Sequence, residues 1–404
     1  MTATLTPTDT PTPTDTGTTL LTDDMLRRFD ERAPQYDREN RFFAEDFDEL
    51  RESGYLSASL PTDLGGAGLS LSEVNRLQRR LAYHAPATAV AVNMHLYWVG
   101  AAADLRKMGD PSGDWILSAA ADGKVLAAGH GEAGNDLPLL LSSSQAERVK
   151  GGWEFTGHKL FGSLSPVWDY LGVHAMDTSD PENPKVVHGF LSRDATGYRI
   201  VETWDALGMR ATASHDTILD HAFIPELQTV MVCPPGFAGA GPYHVALFAW
   251  ALLGFGGVYA GLAQRAFDET IARMHDRTSI ALTRSMAYHP GVQHSVAEMR
   301  IALEGLTAYL DRTCDDWSNG VDHGMEWPLK IVACKHAVVN QAWSLVDTAF
   351  DLTGGAGVFK RSRFEQLFRD ARLGRIHPGN SLLTHELVGK MSLGVDPDAQ
   401  PRLG

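Results

Sequence analysis

Apolar residues recur three and four positions apart from residue 21 to about 125, with charges between them. The stretches DDMLRRFDERAPQYDREN and FFAEDFDELRESGYL carry this pattern, which a helix buries along one face. SLSEVNRLQRRLAYHAP opens on Ser70 with Glu73 three residues on, the spacing of a capping box. GGAG at 65–68 predicts a turn between helices. From about 126 to 235 the pattern changes. WEFTGHKLFGS alternates large and small residues, and KVVHGFLS and YRIVETW are β-branched and aromatic, so all three predict strands, with DTSDPENPK as a loop between two of them. From 236 the helical period returns, and Val296, Met299, Leu303, Leu306 and Leu310 share one face. ALLGFGGVYAGLAQRAFDETIARM is apolar nearly all round in its first half, which predicts a helix buried in a bundle or a subunit interface.

This segregation predicts an α+β chain: an N-terminal helical domain over 21–125, a middle β-domain over 126–235 and a C-terminal helical bundle over 236–404. The opening MTATLTPTDTPTPTDTGTT is poor in apolar residues and predicts a disordered tail over 1–20. No strand is followed by Gly-x-Gly-x-x-Gly and a helix, so no Rossmann nucleotide site is expected.

Composition narrows the function without naming it. The 404 residues are 44% apolar and 21% charged, with a net charge of −15. Such a surface repels nucleic acid and anionic lipid, so neither is an expected partner. There is no run of eighteen apolar residues, so no membrane span is expected. Cys233, Cys314 and Cys334 are odd in number and widely spaced, which argues against a disulfide framework and a thiolate zinc site. The expectation is idle thiols in a reducing cytoplasm, and no metal.

Local motifs say more. HGEAGNDLPLL (130–140) followed by WEFTGHKLFGSLSPVWDYLGVHA (153–175) resembles the flavin-binding sheet of the acyl-CoA dehydrogenase superfamily. DALGMRATASHDTILDHAFIP (205–225) is similar to its next β-hairpin, GLAQRAFDET (261–270) to its central helix, and DLTGGAGVFKRSRFEQLFRDARLGRI (351–376) to its C-terminal Gly-Gly turn and Arg-Asp-Ala helix. The matches run in order over about 350 residues. The resemblance implies a helical domain, a flavin-binding β-domain and a C-terminal four-helix bundle, and a homotetramer or homodimer. A flavin needs a shielded face and hydrogen bonds along its edge, which Phe161 and Ser163 can supply. Gly134 and Asn135 form a turn whose amides could meet phosphate or ribityl oxygens. The family pattern assigns Arg277, Gly354 and Gly355 to the cofactor of a neighbouring subunit, and Asn380 is a candidate cofactor contact as well as a candidate N-cap. Gly354 and Gly355 favour FAD; Asp351 and Ile280, where Gln and Phe are common, leave FMN open.

A dehydrogenase of this family removes an α-proton with a carboxylate. Here the family's place for that glutamate holds His377-Pro378, and the alternative place on the central helix holds Ala251, with Leu252 where an arginine is common. The resemblance is therefore greatest to the two-component flavin monooxygenases, which include dibenzothiophene monooxygenase and the amine and amino-sugar N-hydroxylases. That branch implies reduced flavin from a separate reductase, O2 and a small organic substrate. His377 is assigned as proton donor or base, Ser163 as partner of the flavin edge, and His95, in the cluster Asn93, His95, Tyr97 and Trp98, as a secondary polar group. Two alternatives remain. One is an acyl-CoA or carrier-bound acyl dehydrogenase with a non-standard base; the other is a binding protein without turnover.

Overall fold

Helices precede the sheet in the computed structural model, which describes residues 15–399. They are α1 (Asp15–Leu20), α2 (Asp23–Glu39), α3 (Ala44–Glu52), α4 (Leu71–His84), α5 (Pro86–Lys107) and α6 (Asp114–Ala121). Thr22 caps α2 by accepting from the Met25 amide at 3.2 Å. The expected capping box opens α4, with Ser70 N donating to Glu73 Oε2 at 2.8 Å. α5 is buried on every side from Pro86 to Leu105. Its run of Ala, Val and Gly lets neighbours approach closely. A Cβ on Gly100 would stand 2.3 Å from the Trp250 ring.

The tail expected over 1–20 lies outside the described residues up to 14. Its last stretch is helical rather than disordered, because Leu20 and Leu21 are buried and fix the chain against α3's following turn at Gly54.

Eight strands form one sheet: β1 (Leu126–Ala128), β2 (Gln145–Val149), β3 (Gly152–Gly162), β4 (Tyr170–Asp177), β5 (Lys185–Ser192), β6 (Tyr198–Val201), β7 (His215–Pro225) and β8 (Thr229–Cys233). The order is β6-β7-β3-β2-β4-β5-β8, with β1 joining β4 in parallel. β3 pairs antiparallel with β2 and β7, and its ladder to β7 loses register between Lys159 and Gly162. That irregularity frees the chain around Phe161 from regular pairing. Of the segment likened to a hairpin, residues 205–214 are loop around a 3-10 turn at Arg210–Thr212, and only His215–Pro225 is strand.

The C-terminal helices are α7 (Pro242–Asp276), α8 (Pro290–Ser318), α9 (Trp327–Thr353), α10 (Arg363–Leu373) and α11 (Ser381–Leu393). Met299, Leu303, Leu306 and Leu310 are buried along one face of α8, as their spacing requires. α7 packs against α4, α5, α8 and α9. It is long and apolar enough by composition to cross a membrane, yet 83% of its apolar window is buried inside the protein. It is a core helix, which is why it is apolar all round.

Candidate active site

A cavity between α5, the sheet and α7 offers about 180 Å³ to the centres of water-sized molecules. Val90, Met94 and Tyr97 reach it from α5, and Leu247, Ala251, Leu252 and Phe255 from α7. His377 and Pro378 close it from the turn after α10. Both places where a family base would stand therefore open on one cavity, and no Asp, Glu, Lys or Arg lines it among the described residues.

The sheet contributes the end of β3. Phe161 sits at φ 60° and Leu164 at φ 65°, left-handed conformations that cost a non-glycine residue roughly 1–2 kcal/mol. Leu139 and Met209, at φ 74° and 52°, also line the cavity. Strain is thus held at three walls of the cavity, Leu139, Phe161 and Met209, the kind of place where functional sites concentrate it. Its product is visible at Phe161, whose ring is 58% exposed and meets Trp204 edge-on with centroids 6.1 Å apart.

Ser163 is buried, and its Oγ lies 2.7 Å from Ser214 Oγ, which lies 2.6 Å from Thr212 Oγ1. Thr212 donates to the Met209 carbonyl at 2.9 Å. Each hydroxyl has one proton, so the direction of the chain is fixed: Ser214 donates to Thr212 and Ser163 donates to Ser214. The Ser163 amide is already given to the Phe161 carbonyl at 2.9 Å. What Ser163 has left is an acceptor.

His377 stacks on Phe255, with centroids 4.3 Å apart and planes 12° apart. Its Nε2 lies 2.8 Å from the Tyr259 hydroxyl. Burial, then the nearby Lys335 ammonium, brings its pKa down to about 3, so the imidazole is neutral. Burial likewise holds the Tyr259 phenol protonated. Lys335 on α9 is 1% exposed and donates to the carbonyls of His377 (3.1 Å) and Gly379 (3.2 Å). Burial lowers its pKa to about 7. A buried ammonium held by carbonyls alone fixes the turn that presents His377.

His130 also lines the cavity, its Nδ1 3.3 Å from His174 Nδ1. Burial, then Lys159, lowers its pKa to about 3. Behind it Glu132 receives Lys159 Nζ at 2.5 Å and the hydroxyls of Ser142 (2.7 Å) and Ser144 (2.6 Å). Burial would raise that carboxyl, but Lys159 and the hydroxyls outweigh it and bring it to about 2. Glu132 is an anchor under the cavity floor and does not line the cavity.

Ser163, Phe161 and His377 are thus brought together. The other candidates are elsewhere. His95 is 3% exposed, its Nε2 lies 3.0 Å from the Leu56 carbonyl and its Nδ1 accepts from the Leu126 amide at 3.0 Å. Both nitrogens serve the backbone, and His95 ties β1 to α5 outside the cavity lining. Asn135 gives both amide protons to Glu132 (2.9 Å) and Leu141 O (2.7 Å) and accepts from Leu137 N (2.9 Å), bracing the turn at Gly134. Asn380 caps α11 by accepting from Leu383 N at 3.0 Å. Arg277 donates to the Leu352 carbonyl at 2.5 Å, and a Cβ on Gly354, the neighbour of Gly355, would stand 2.8 Å from its guanidinium. That cluster lies 22 residues along α7 from Phe255, roughly 33 Å at helical rise.

Sequence reasoning missed His130, Thr212, Ser214, Tyr259 and Lys335. His130 opened a motif that was read for its Gly and Asn. Lys335 and Tyr259 carry no signal, since a helical Lys reads as surface and a helical Tyr as core.

A helical domain, a central sheet, a helical bundle and a cavity at their meeting point together define a class. The chain belongs to the acyl-CoA dehydrogenase family of flavin-dependent oxidoreductases: residues 22–111 match that family's N-terminal domain and 244–393 its C-terminal domain. Among curated relatives, it is 28% identical to YdbM of Bacillus subtilis (strain 168), provisionally assigned as an acyl-CoA dehydrogenase, over 90% of this chain and 93% of that one. It is 25% identical to L-evernosamine nitrososynthase of a Micromonospora species, over 93% and 89%. Methanesulfinate monooxygenase of Pseudomonas fluorescens superposes with a TM-score of 0.79 at 21% identity, covering 97% of this chain and 100% of that one.

Proposed function

We propose that the chain is a monooxygenase or hydroxylase that uses reduced flavin and O2 on a small organic substrate. The absence of any carboxylate from the cavity lining among the described residues carries this reading, with Ala251 and Pro378 in the lining at the places where the resemblance expects a base. A dehydrogenase would have to use His377, and its burial disfavours the imidazolium that taking an α-proton would form.

The residues present fit a flavin. Phe161 offers a flat apolar surface for one side of the ring, and Trp204, perpendicular to it, bounds the same wall. The acceptor left on Ser163 suits the N–H that a reduced ring presents at its reactive edge. When bound, reduced flavin supplies the electrons that activate O2. The chain supplies the rest. Neutral His377, with its Nε2 held 2.8 Å from the Tyr259 hydroxyl, would hold a proton at the cavity wall. The apolar walls from α5 and α7 exclude water. A separate reductase would deliver the flavin. The far half of the cofactor would lie on Arg277, Gly354 and Gly355 of a neighbouring copy, because this chain's own cluster is too far from its cavity. The curated nitrososynthase relative and the superposed monooxygenase support the same direction.

Rapid mixing of the protein, loaded anaerobically with reduced FAD or FMN, against oxygenated buffer tests the proposal. The expected result is a flavin spectrum that stays distinct from both reduced and oxidised forms for seconds. Prompt reoxidation, together with bleaching of the oxidised flavin by an acyl-CoA, would move the assignment to dehydrogenation.

A further inference from the structure

We infer that His188, Cys233 and His244 form a binding site for one zinc-class cation, behind the cavity. His188 lies on β5, Cys233 ends β8 and His244 stands in the first turn of α7. Their ligand atoms all lie within 4.8 Å of one another, and Cys233 Sγ is 3.9 Å from His244 Nε2. Zinc bonds of ~2.3 Å to sulfur and ~2.0 Å to nitrogen place sulfur and nitrogen roughly 3.5 Å apart and two nitrogens roughly 3.3 Å apart in a tetrahedral site, so a contraction of about 1.5 Å or less suffices.

His188 itself points to a ligand. It is 1% exposed, and beyond a weak contact with the Leu139 backbone neither ring nitrogen has a hydrogen-bond partner. Buried polar groups left unpaired are rare, and an ion is one of the few explanations. The ligand chemistry agrees. Burial, then His244, His130 and Lys159, holds His188 neutral, with a slight offset from the Leu139 backbone, and burial brings His244 to about 4. Metal binding requires such free bases. The Cys233 thiol loses its proton to solvent as the sulfur–metal bond forms. His244 must then carry its own proton on Nδ1, giving up a long 3.4 Å contact from the Gly241 amide. A bound cation would pin the β5–β8 edge to α7, just ahead of the stretch that walls the cavity. Positions 188, 233 and 244 have no metal-motif spacing, so only the fold brings them together.

The test uses the full chain, stripped with chelator and then titrated with Zn2+ or Co2+. We expect about one zinc per chain and, with cobalt, the thiolate-to-metal charge-transfer absorption of a sulfur-bound ion. Cys233→Ala and His188→Gln should each weaken zinc binding at least tenfold, while Cys314→Ala, also a buried free thiol, leaves it unchanged. Circular dichroism confirms that each variant folds. If one does not, the cobalt spectrum of the unmodified protein decides by itself. No retained zinc, cobalt bands without thiolate character, or equal binding by Cys233→Ala would overturn the site.

Discussion

His377 combines a neutral ring, a phenol partner and a fixed backbone. His377→Ala should lower turnover about 10²–10⁴-fold, the range for a positioned proton-transfer group. His377→Asn keeps a neutral donor and should recover part of that loss in steady-state assays. A folded pKa of about 3 also predicts that no step in the rate profile near pH 6.5 disappears on substitution. Loss of such a step in His377→Asn would show that the ring titrates and refute the neutral assignment. Lys335 makes a separate prediction about stability. It titrates near 7 in the fold and near 10.5 when unfolded, so the unfolded chain binds more protons between those values. Its contribution to stability rises with pH across that window, and the cost of burying the ammonium is fully present below it. Lys335→Met should therefore gain most in urea midpoint, relative to the parent, at about pH 6.5, and the gain should shrink by about pH 9.5.

At the level of elements, two contacts set the cavity's dimensions. α5 and α7 cross where Gly100 meets Trp250, whose Nε1 donates to Asp104 at 2.7 Å. A methyl at Gly100 overlaps the indole ring, and Gly100→Ala should cost about 1–3 kcal/mol by thermal or chemical unfolding. It should also impair turnover, because α5 and α7 form facing walls. The other contact is the end of β3, where strain aims the Phe161 ring. Phe161→Gly relieves the left-handed backbone but removes the platform. The expected result is unchanged or higher stability with flavin affinity weakened about tenfold or more, measured by fluorescence titration. Weaker stability with unchanged flavin affinity would show that the ring packs the fold and not the cofactor.

For the whole molecule, the distance between Arg277 and the cavity is decisive. If one flavin spans the cavity of one copy and the Arg277–Gly354 cluster of another, single-site variants should complement. Arg277→Ala and His377→Ala, each inactive alone, should regain activity when unfolded together and refolded as mixed oligomers. Sedimentation velocity should show an assembly of two or four chains. A monomer at micromolar concentration, or no regained activity, would place the whole cofactor within one chain.

Much of this architecture was legible in residue order. The period of apolar positions marked α8's buried face, the all-round apolar run marked α7's burial, the Ser70–Glu73 spacing announced a cap, alternation marked β3, and β-branched and aromatic content marked β5. These features depend on local geometry, which neighbours in sequence largely determine. The order of motifs identified the family, and the residues at 251 and 377–378 put no carboxylate at the two places where the resemblance expects its base. The tertiary structure decided what no window of sequence contains. It moved Asn135, Asn380 and His95 onto backbone partners and brought Thr212 and Ser214 to Ser163. It set a buried Lys335 under His377 and Tyr259 against its ring. A residue's chemistry depends on its solvent exposure and on the atoms facing it, and across 40 to 120 positions of separation only the packed fold determines either.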